Sequence, residues 1–365
     1  MDNLIEPAAD QQWSSRSRPL SATIVFSRDE IAKLAAFVHS LVPEPGMVAP
    51  RFFLASVSER KWRPCVVVVS REERTIGLLY CKERLVAGIG TRIAFADDAL
   101  STMVVTYPEE TESVIHCAVK GLLGYMNGVR LLVSSERLSF VKSVQTNADL
   151  NLCRAQRHAH LRLPRTYDEF LVKLGPQPRR NFRRYRRRSE MAGNEFSLDQ
   201  AFPDFCIAAR RLFPNGAFAT SERELERCLA MIEAMPTRLL FGLRQRNGDW
   251  ISLAGGWCVG DRAILNMQLN DQRLIRDSLS LVLRSYLIEA LIERGFRELV
   301  FWAGASPPLS LYCDSPGEWV AYIDAPSMSW RLFRLAFATV NRCGPTIIPK
   351  WLKLVVPCRP YVLSF

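Results

Sequence analysis

One order of elements occurs twice along this chain: a β-rich run, a loop, a run of helical length, a glycine stop and a second β-rich run. It runs from Met103 to Val133 and again from Ile264 to Ala303. The two passes even end alike, Gly128-Val129-Arg130-Leu131-Leu132-Val133 against Gly295-Phe296-Arg297-Glu298-Leu299-Val300. A strand, a crossover helix and a second strand make a parallel pair within a sheet. Two such units in 365 residues, more than one core usually holds, predict two related halves. The expected class is mixed α/β (α+β), each half a mixed sheet flanked by helices.

The rest of the chain can be laid around these units. Ser27-Arg28-Asp29-Glu30, Thr166-Tyr167-Asp168-Glu169 and Ser221-Glu222-Arg223-Glu224 each set a hydroxyl three residues before a glutamate. That is a capping box, so helices are expected to start at all three. Phe52 to Val57, Cys65 to Ser70 and Thr75 to Tyr80 read as an antiparallel meander. Leu239 to Gln245, Ile251 to Val259 and Ala263 to Leu269 read as three further strands, turning at Asn247-Gly248-Asp249 and Gly260-Asp261. Ser278 to Arg294 is the strongest helix and is stopped by Gly295. The expected division is a disordered polar tail over 1–20, a first half over 21–155, a second over 156–328, and a basic, apolar tail over 329–365 packed on the second half.

Charge narrows the choice of partner without fixing it. Lys and Arg number 48 against 37 Asp and Glu, a net +11, and seven arginines fall between Arg179 and Arg188. Phe182, Tyr185 and Ser189 lie about a helical turn apart, so a helix should rest on them with arginines over the rest. Arg180, Arg183 and Arg184 are then candidate anion contacts. Nucleic acid bound through 179–188, an anionic membrane, an acidic substrate and a plain solvated face all stay open. Peripheral membrane contact through 330–365 is a further expectation.

Other classes lose support. No Walker loop, GxGxxG or GxSxG occurs. Ten cysteines without a CxxC pair read as reduced, buried thiols. His158 and His160 have only His39 and His116 as distant companions, so no metal is expected. With no signal-peptide pattern and no run long and apolar enough to span a bilayer, the expected place is the cytoplasm, with membrane contact at most peripheral.

The second unit also predicts an anion site. Ser278 opens a helix at the carboxyl end of a strand, where free N–H groups and the helix dipole attract phosphate. Arg273 and Arg276 add charge in the same loop.

Leu161-Arg162-Leu163-Pro164-Arg165-Thr166-Tyr167-Asp168-Glu169-Phe170-Leu171, followed by Arg179-Arg180-Asn181-Phe182-Arg183-Arg184, resembles a stretch of the GNAT acyltransferase superfamily. The similarity is to its CelD-like branch, related to Fem-type peptidyltransferases. Leu269-Asn270-Asp271, Ser278-Leu279-Ser280 and Ile288 to Gly295 resemble that branch's cofactor region, and the likeness extends over roughly 20–325. It implies a tandem GNAT fold taking acetyl-CoA or another acyl-CoA in the second half, with no metal. Pantetheine would follow Ala263 to Leu269, including Gln268 and Leu269. The pyrophosphate would meet Arg273, Arg276, Ser278 and Ser280.

The implied reaction is N-acylation of a small amine, an amino sugar or an amino-acid derivative. Asp271 and Glu289 are the candidate bases and Tyr312 the candidate acid. Two other readings accompany it. One is a Fem-type transferase using aminoacyl-tRNA; the other is an inactive GNAT-like protein binding nucleic acid, anionic lipid or a protein partner through the arginine helix. Departures from the family pattern bear on activity: Ser280 stands where a glycine is expected, Leu279 where proline is common, Val300 where an acid is frequent, and Ala303 where a basic residue is expected.

Overall fold

The structure, a computed structural model, describes residues 19–97, 103–135, 149–155, 158–215, 221–302, 304–305, 308–314 and 318–325. Of the expected tail over 1–20, residues 1–18 lie outside the described residues, as does the whole of that over 329–365. The first half contains β1 (Ser21–Val25), α1 (Arg28–Lys33), α2 (Ala35–Leu41), α3 (Pro50–Ser56), β2 (Trp62–Arg71), β3 (Arg74–Val86), β4 (Ile89–Asp97), β5 (Val104–Thr106), α4 (Thr111–Tyr125), β6 (Gly128–Ser134) and β7 (Asp149–Ala155). The second contains β8 (Ala159–Arg162), α5 (Tyr167–Lys173), α6 (Pro176–Met191), β9 (Glu195–Leu198), α7 (Phe202–Leu212), α8 (Glu222–Glu233), β10 (Arg238–Arg244), β11 (Trp250–Val259), β12 (Arg262–Asn270), α9 (Leu279–Glu293) and β13 (Glu298–Phe301), followed by β14 (Glu318–Asp324).

All three capping boxes form. The hydroxyls of Ser27, Thr166 and Ser221 accept the backbone N–H of Glu30 (3.5 Å), Glu169 (3.2 Å) and Glu224 (3.3 Å). The run Phe52 to Val57, expected as a strand, is instead the body of α3. Pro50 sits in its first turn, where a missing N–H does no harm. The buried ring of Phe52 meets Trp257 edge-on at 5.2 Å, so contact with the other half overrides a β-like composition.

The two sheets are mixed, as expected. The first runs β1-β2-β3-β4-β6-β14-β7, with β5 pairing β3; the second runs β8-β13-β12-β11-β10-β9. Each holds one parallel pair, β4 with β6 and β12 with β13. In the first half α4 buries Val114, Ile115, Ala118 and Leu122 against one sheet face, while α1 to α3 cover the other. In the second, α5, α6 and α9 cover one face. Helices α7 and α8, with α3 from the first half, cover the other.

The sheets depart from the expected division at one place. Residues 318–324, expected in the second half, insert as β14 between β6 and β7 of the first sheet. Reciprocally β8, which follows β7, pairs with β13 of the second sheet. A buried charge pair ties the exchanged strand down: Arg130 on β6 meets Asp324 on β14 at 2.8 Å, both side chains almost wholly enclosed.

Candidate functional site

The parallel pair of the second sheet is short. β12 and β13 run together only from Arg262 to Leu265 against Glu298 to Phe301, and the Trp302 N–H closes the ladder on the Leu265 carbonyl at 3.0 Å. There β12 carries a bulge. Gly255 faces Met267 and Gly256 faces Leu265, leaving Asn266 as the extra residue. A bulge bends its strand and resets the alternation of side chains. Ala263 and Leu265 therefore face α9 before it, and Gln268 faces α9 after it; Ile264, Met267 and Leu269 pack on the opposite face. The close approach also needs Gly256, because an added Cβ would run into the carbonyl oxygen of Ile264.

Past the bulge, one edge of β12 opens. The Asp271 N–H bonds the Ile251 carbonyl on β11 at 2.9 Å. Backbone groups alternate along a strand, so those of Gln268 and Asn270 turn toward the side that β13 has left. This edge leads to the start of α9. Ser278 there adopts the left-handed conformation (φ 52°, ψ 43°), and the helix has no side-chain cap and no acid in its first turn. The Ser278 N–H donates to the Ile275 carbonyl at 3.3 Å and the Ser278 carbonyl accepts from Leu281 and Val282. The positive dipole end is therefore presented by the N–H groups of Leu279 and Ser280, an arrangement that suits an anion.

A polar network floors the opening. The Arg284 Nε, from α9, donates to Gln268 Oε1 at 2.9 Å. Gln268 Nε2 donates to Asn270 Oδ1 at 3.1 Å, and Ser252 Oγ donates to the same oxygen at 2.7 Å. The guanidinium of Arg284 lies 5.2 Å over the Phe301 ring, and burial pushes its pKa below the usual arginine range. Its charge also reaches the Cys313 thiol, which burial otherwise raises to about 11. Two cavities flank the turn over Gln272–Asp277. One, of about 510 Å³, is lined by Arg211, Asp249, Trp250, Asp271 and Arg273. The other, of about 430 Å³, is lined by Arg188, Asn194, Arg246, Asp277 and Leu279.

The structure gathers some of the sequence candidates and disperses others. Gln268, Ser278 and Ser280 lie together around the start of α9, with Gln268 Nε2 donating to the Ser280 carbonyl at 3.4 Å. The Leu269 side chain is buried on the far face. Arg276 is exposed and has no partner among the described residues. Arg273 is exposed and clasps Asp271, which accepts its backbone N–H at 2.9 Å and its Nε at 3.0 Å. Those bonds hold the Asp271 carboxyl below its ordinary value. Glu289 lies on the flank of α9 toward α6, paired with Arg186 at 2.6 Å. The Tyr312 hydroxyl accepts the Gly175 N–H at 2.9 Å, at the start of α6. Arg180, Arg183 and Arg184 are exposed on α6, whose buried face holds Phe182 and Ser189 as the sequence spacing predicts.

Sequence reasoning missed Arg284, Asn270 and Ser252. The signal for Arg284 was present: it is the one charged residue in the first ten of an otherwise apolar helix, in register with Leu287 and Leu291. His158 and His160 do not converge on a metal. Their Nδ1 atoms lie 2.7 Å from the Trp302 carbonyl and 2.9 Å from Glu298 Oε1. No group of three metal-capable side chains occurs among the described residues.

Solved structures share this architecture. The C-terminal domain of a protein assigned as a lysylphosphatidylglycerol synthetase from Agrobacterium fabrum is 14% identical, over 86% of this chain and 97% of that one, with a TM-score of 0.54. The L-PGS of Bacillus licheniformis is 14% identical over 82% and 94%, with a TM-score of 0.53. FemX is 11% identical over 86% and 99%, with a TM-score of 0.52. The chain has the GNAT fold. No protein-family model and no curated protein matches the sequence. Two halves are present as expected, but in the first the parallel partner of β6 is β4, while the strand read at Met103 to Thr106 is β5, antiparallel to β3; FemX shares the fold. No described helix is long and apolar enough to cross a membrane.

Proposed function

We propose that the chain is an acyl-group transferase whose donor, an acyl-CoA, lies along the open edge of β12 in the second half. The observation that carries this reading is the continuity of that edge with the uncapped start of α9, beside the unpartnered Arg276. An extended amide-bearing arm suits an open strand edge, and a pyrophosphate suits a helix start with a nearby arginine. Both are parts of one acyl-CoA. The thioester supplies the activated carbonyl, and the acceptor is a small amine.

The residues then divide the work. Gln268 and Asn270 offer backbone groups to the arm, and the network through Arg284 holds that stretch of β12 rigid. Leu279 and Ser280 offer N–H groups to phosphate and Ser278 its hydroxyl, since the Ser278 N–H is taken by the Ile275 carbonyl at 3.3 Å, with Arg276 and Arg273 adding charge. In the transfer a nitrogen–carbon bond forms as the carbon–sulfur bond breaks. Tyr312 is the proposed acid that returns a proton to the thiolate. Its oxygen accepts from Gly175, which leaves its own O–H free in direction to donate. Asp271 and Glu289 would act as bases only after releasing Arg273 and Arg186.

A second reading takes the donor as an aminoacyl-tRNA. The structural neighbours named as lysylphosphatidylglycerol synthetase and FemX favour it.

Calorimetric titration with acetyl-CoA and with a long-chain acyl-CoA tests the first reading. Arg276→Glu should weaken micromolar binding at least tenfold, about 1.4 kcal/mol or more. Absence of binding by either ligand would sink that reading. Salt-sensitive binding of aminoacyl-tRNA would then select the second, and failure of both would leave a non-catalytic GNAT-fold protein.

A further inference from the structure

The outer face of α6 is a basic ridge with apolar side chains at both ends. Phe182 and Ser189 are buried on its inner face. Opposite them run Arg180, Arg184, Arg187 and Met191, at i, i+4, i+7 and i+11, with Arg183 alongside, all exposed. The flanking arginines are neutralised, Arg186 by Glu289 at 2.6 Å and Arg188 by Asp277 at 2.8 Å. The ridge is not. Arg180 meets neutral Gln177, Arg184 lies 5.8 Å over the ring of its neighbour Tyr185, and Arg183 and Arg187 have no partner among the described residues. Like charges one turn apart repel, so the ridge lacks its counter-charge within the described part of the chain.

Four exposed apolar residues fringe this ridge: Val172 (65% exposed), Met191 (78%), Ile275 (70%) and Leu311 (78%). Val172 lies three residues before Gly175, the N-cap of α6, and Leu311 is next to Tyr312, which holds the Gly175 N–H. Met191 ends the ridge, and Ile275 is two residues from the Asp277 that Arg188 grips. A nucleic acid would satisfy the arginines but leave these apolar side chains in water. An anionic bilayer surface satisfies both, phosphates meeting the arginines and the acyl boundary receiving the apolar fringe.

We propose that α6 docks this protein on anionic lipid, ridge toward the bilayer, with Val172, Met191, Ile275 and Leu311 entering the interface. The docked orientation brings the cavity lined by Arg188, Asp277 and Leu279 to the membrane surface. The inference does not rest on acyl transfer.

The test is co-sedimentation of the full chain with phosphatidylcholine vesicles, with and without phosphatidylglycerol, in parallel with filter binding of total tRNA. The wild type should bind only the anionic vesicles, and binding should fall with salt. Each arginine near such a surface contributes about fivefold, so the triple variant Arg180→Glu, Arg184→Glu, Arg187→Glu, which removes three cations and adds three carboxylates, should lose at least about a hundredfold. Met191→Ser with Ile275→Ser should weaken binding severalfold without changing its salt slope. All five positions are exposed, and an unchanged circular-dichroism melt would confirm folding; if the triple variant melts early, the double variant and the wild-type salt slope decide. Vesicle binding untouched by either variant overturns the proposal, because the contact then lies elsewhere. So does absence of anionic-vesicle binding, or tRNA binding that the triple variant abolishes while vesicles are ignored.

Discussion

In the first half, the helix between the parallel strands β4 and β6 starts among acids. Glu109 and Glu110 form the 3-10 turn before α4, and Glu112 lies in its first turn. In the second half, the first turn of α9 holds no acid, and Asp277 just before its N-cap is held by Arg188 at 2.8 Å, beside Arg273 and Arg276. The strands differ in the same sense. β4 and β6 stay paired from Ile93 to Asp97, the last residue of β4, whereas β12 bulges at Asn266 and leaves β13 after four pairs. Equivalent units have thus diverged in charge and in openness together. An anion at α4 would meet Glu109 and Glu112 and a closed strand, whereas at α9 the acid before the helix, Asp277, is already paired with Arg188 and the strand edge is open. Under the proposed function the first half is the scaffold and the second the receptor.

The largest effect is expected from breaking the scaffold. Asp324→Ala leaves the buried Arg130 guanidinium without the carboxylate it meets at 2.8 Å. Removing one partner of a buried pair costs about 3–5 kcal/mol. Urea unfolding should show a loss of that size. A loss under about 1 kcal/mol would mean that β14 is held in the first sheet by its ladder alone.

A smaller effect, but on the receptor, is expected from Gly256→Ala. The new methyl meets the Ile264 carbonyl, so β11 and β12 must separate beside the bulge. Overpacking of this kind costs about 1–3 kcal/mol. Donor binding should fall with it, since the bend that opens β12 shifts. Retained affinity at reduced stability would show that the opening does not depend on this contact.

Local signals in the sequence were read well where backbone chemistry is local. Ser27, Thr166 and Ser221 cap their helices, Gly295 turns with φ 80° after α9, and Phe182 and Ser189 face inward. Partner choice across the fold was not readable. Phe52 to Val57 has a strand's composition, yet Trp257, some two hundred residues away, makes it helical. β14 has ordinary strand alternation, and nothing in Glu318 to Asp324 says which sheet it joins until Arg130 is seen opposite Asp324. The bulge escaped for the same reason. Asn266 is extra only relative to β11, so the sequence could not say that of the two candidates Gln268 and Leu269 it is Gln268 that faces α9. The start of α9 was readable because a helix start needs only its own first turn, whereas the polar network beneath it needed Ser252, Asn270 and Arg284 from three elements.

The smallest expected effect separates a cap from a base at the mouth of the receptor. Asp271 accepts the Arg273 backbone N–H and guanidinium, and the hydrogen bonds to that side chain are the main reason its carboxyl is held low. A depressed folded pKa means the stabilisation is complete above the unfolded carboxylate's value, about 3.9, and is lost as pH falls through the folded value below it. Wild-type stability should therefore drop below pH 4 more steeply than that of Asp271→Asn. At neutral pH the two should differ little, because the Arg273 side chain is exposed and solvent screens the pair. Asparagine keeps an oxygen for the backbone N–H, so the turn that presents Arg276 should survive, and acyl transfer should stay within a few-fold of wild type. A general base at this position would instead contribute about a hundredfold or more. A rate loss of that size in a folded Asp271→Asn would show that Asp271 leaves Arg273 when donor and amine are bound, and that the second half keeps its base at the end of β12.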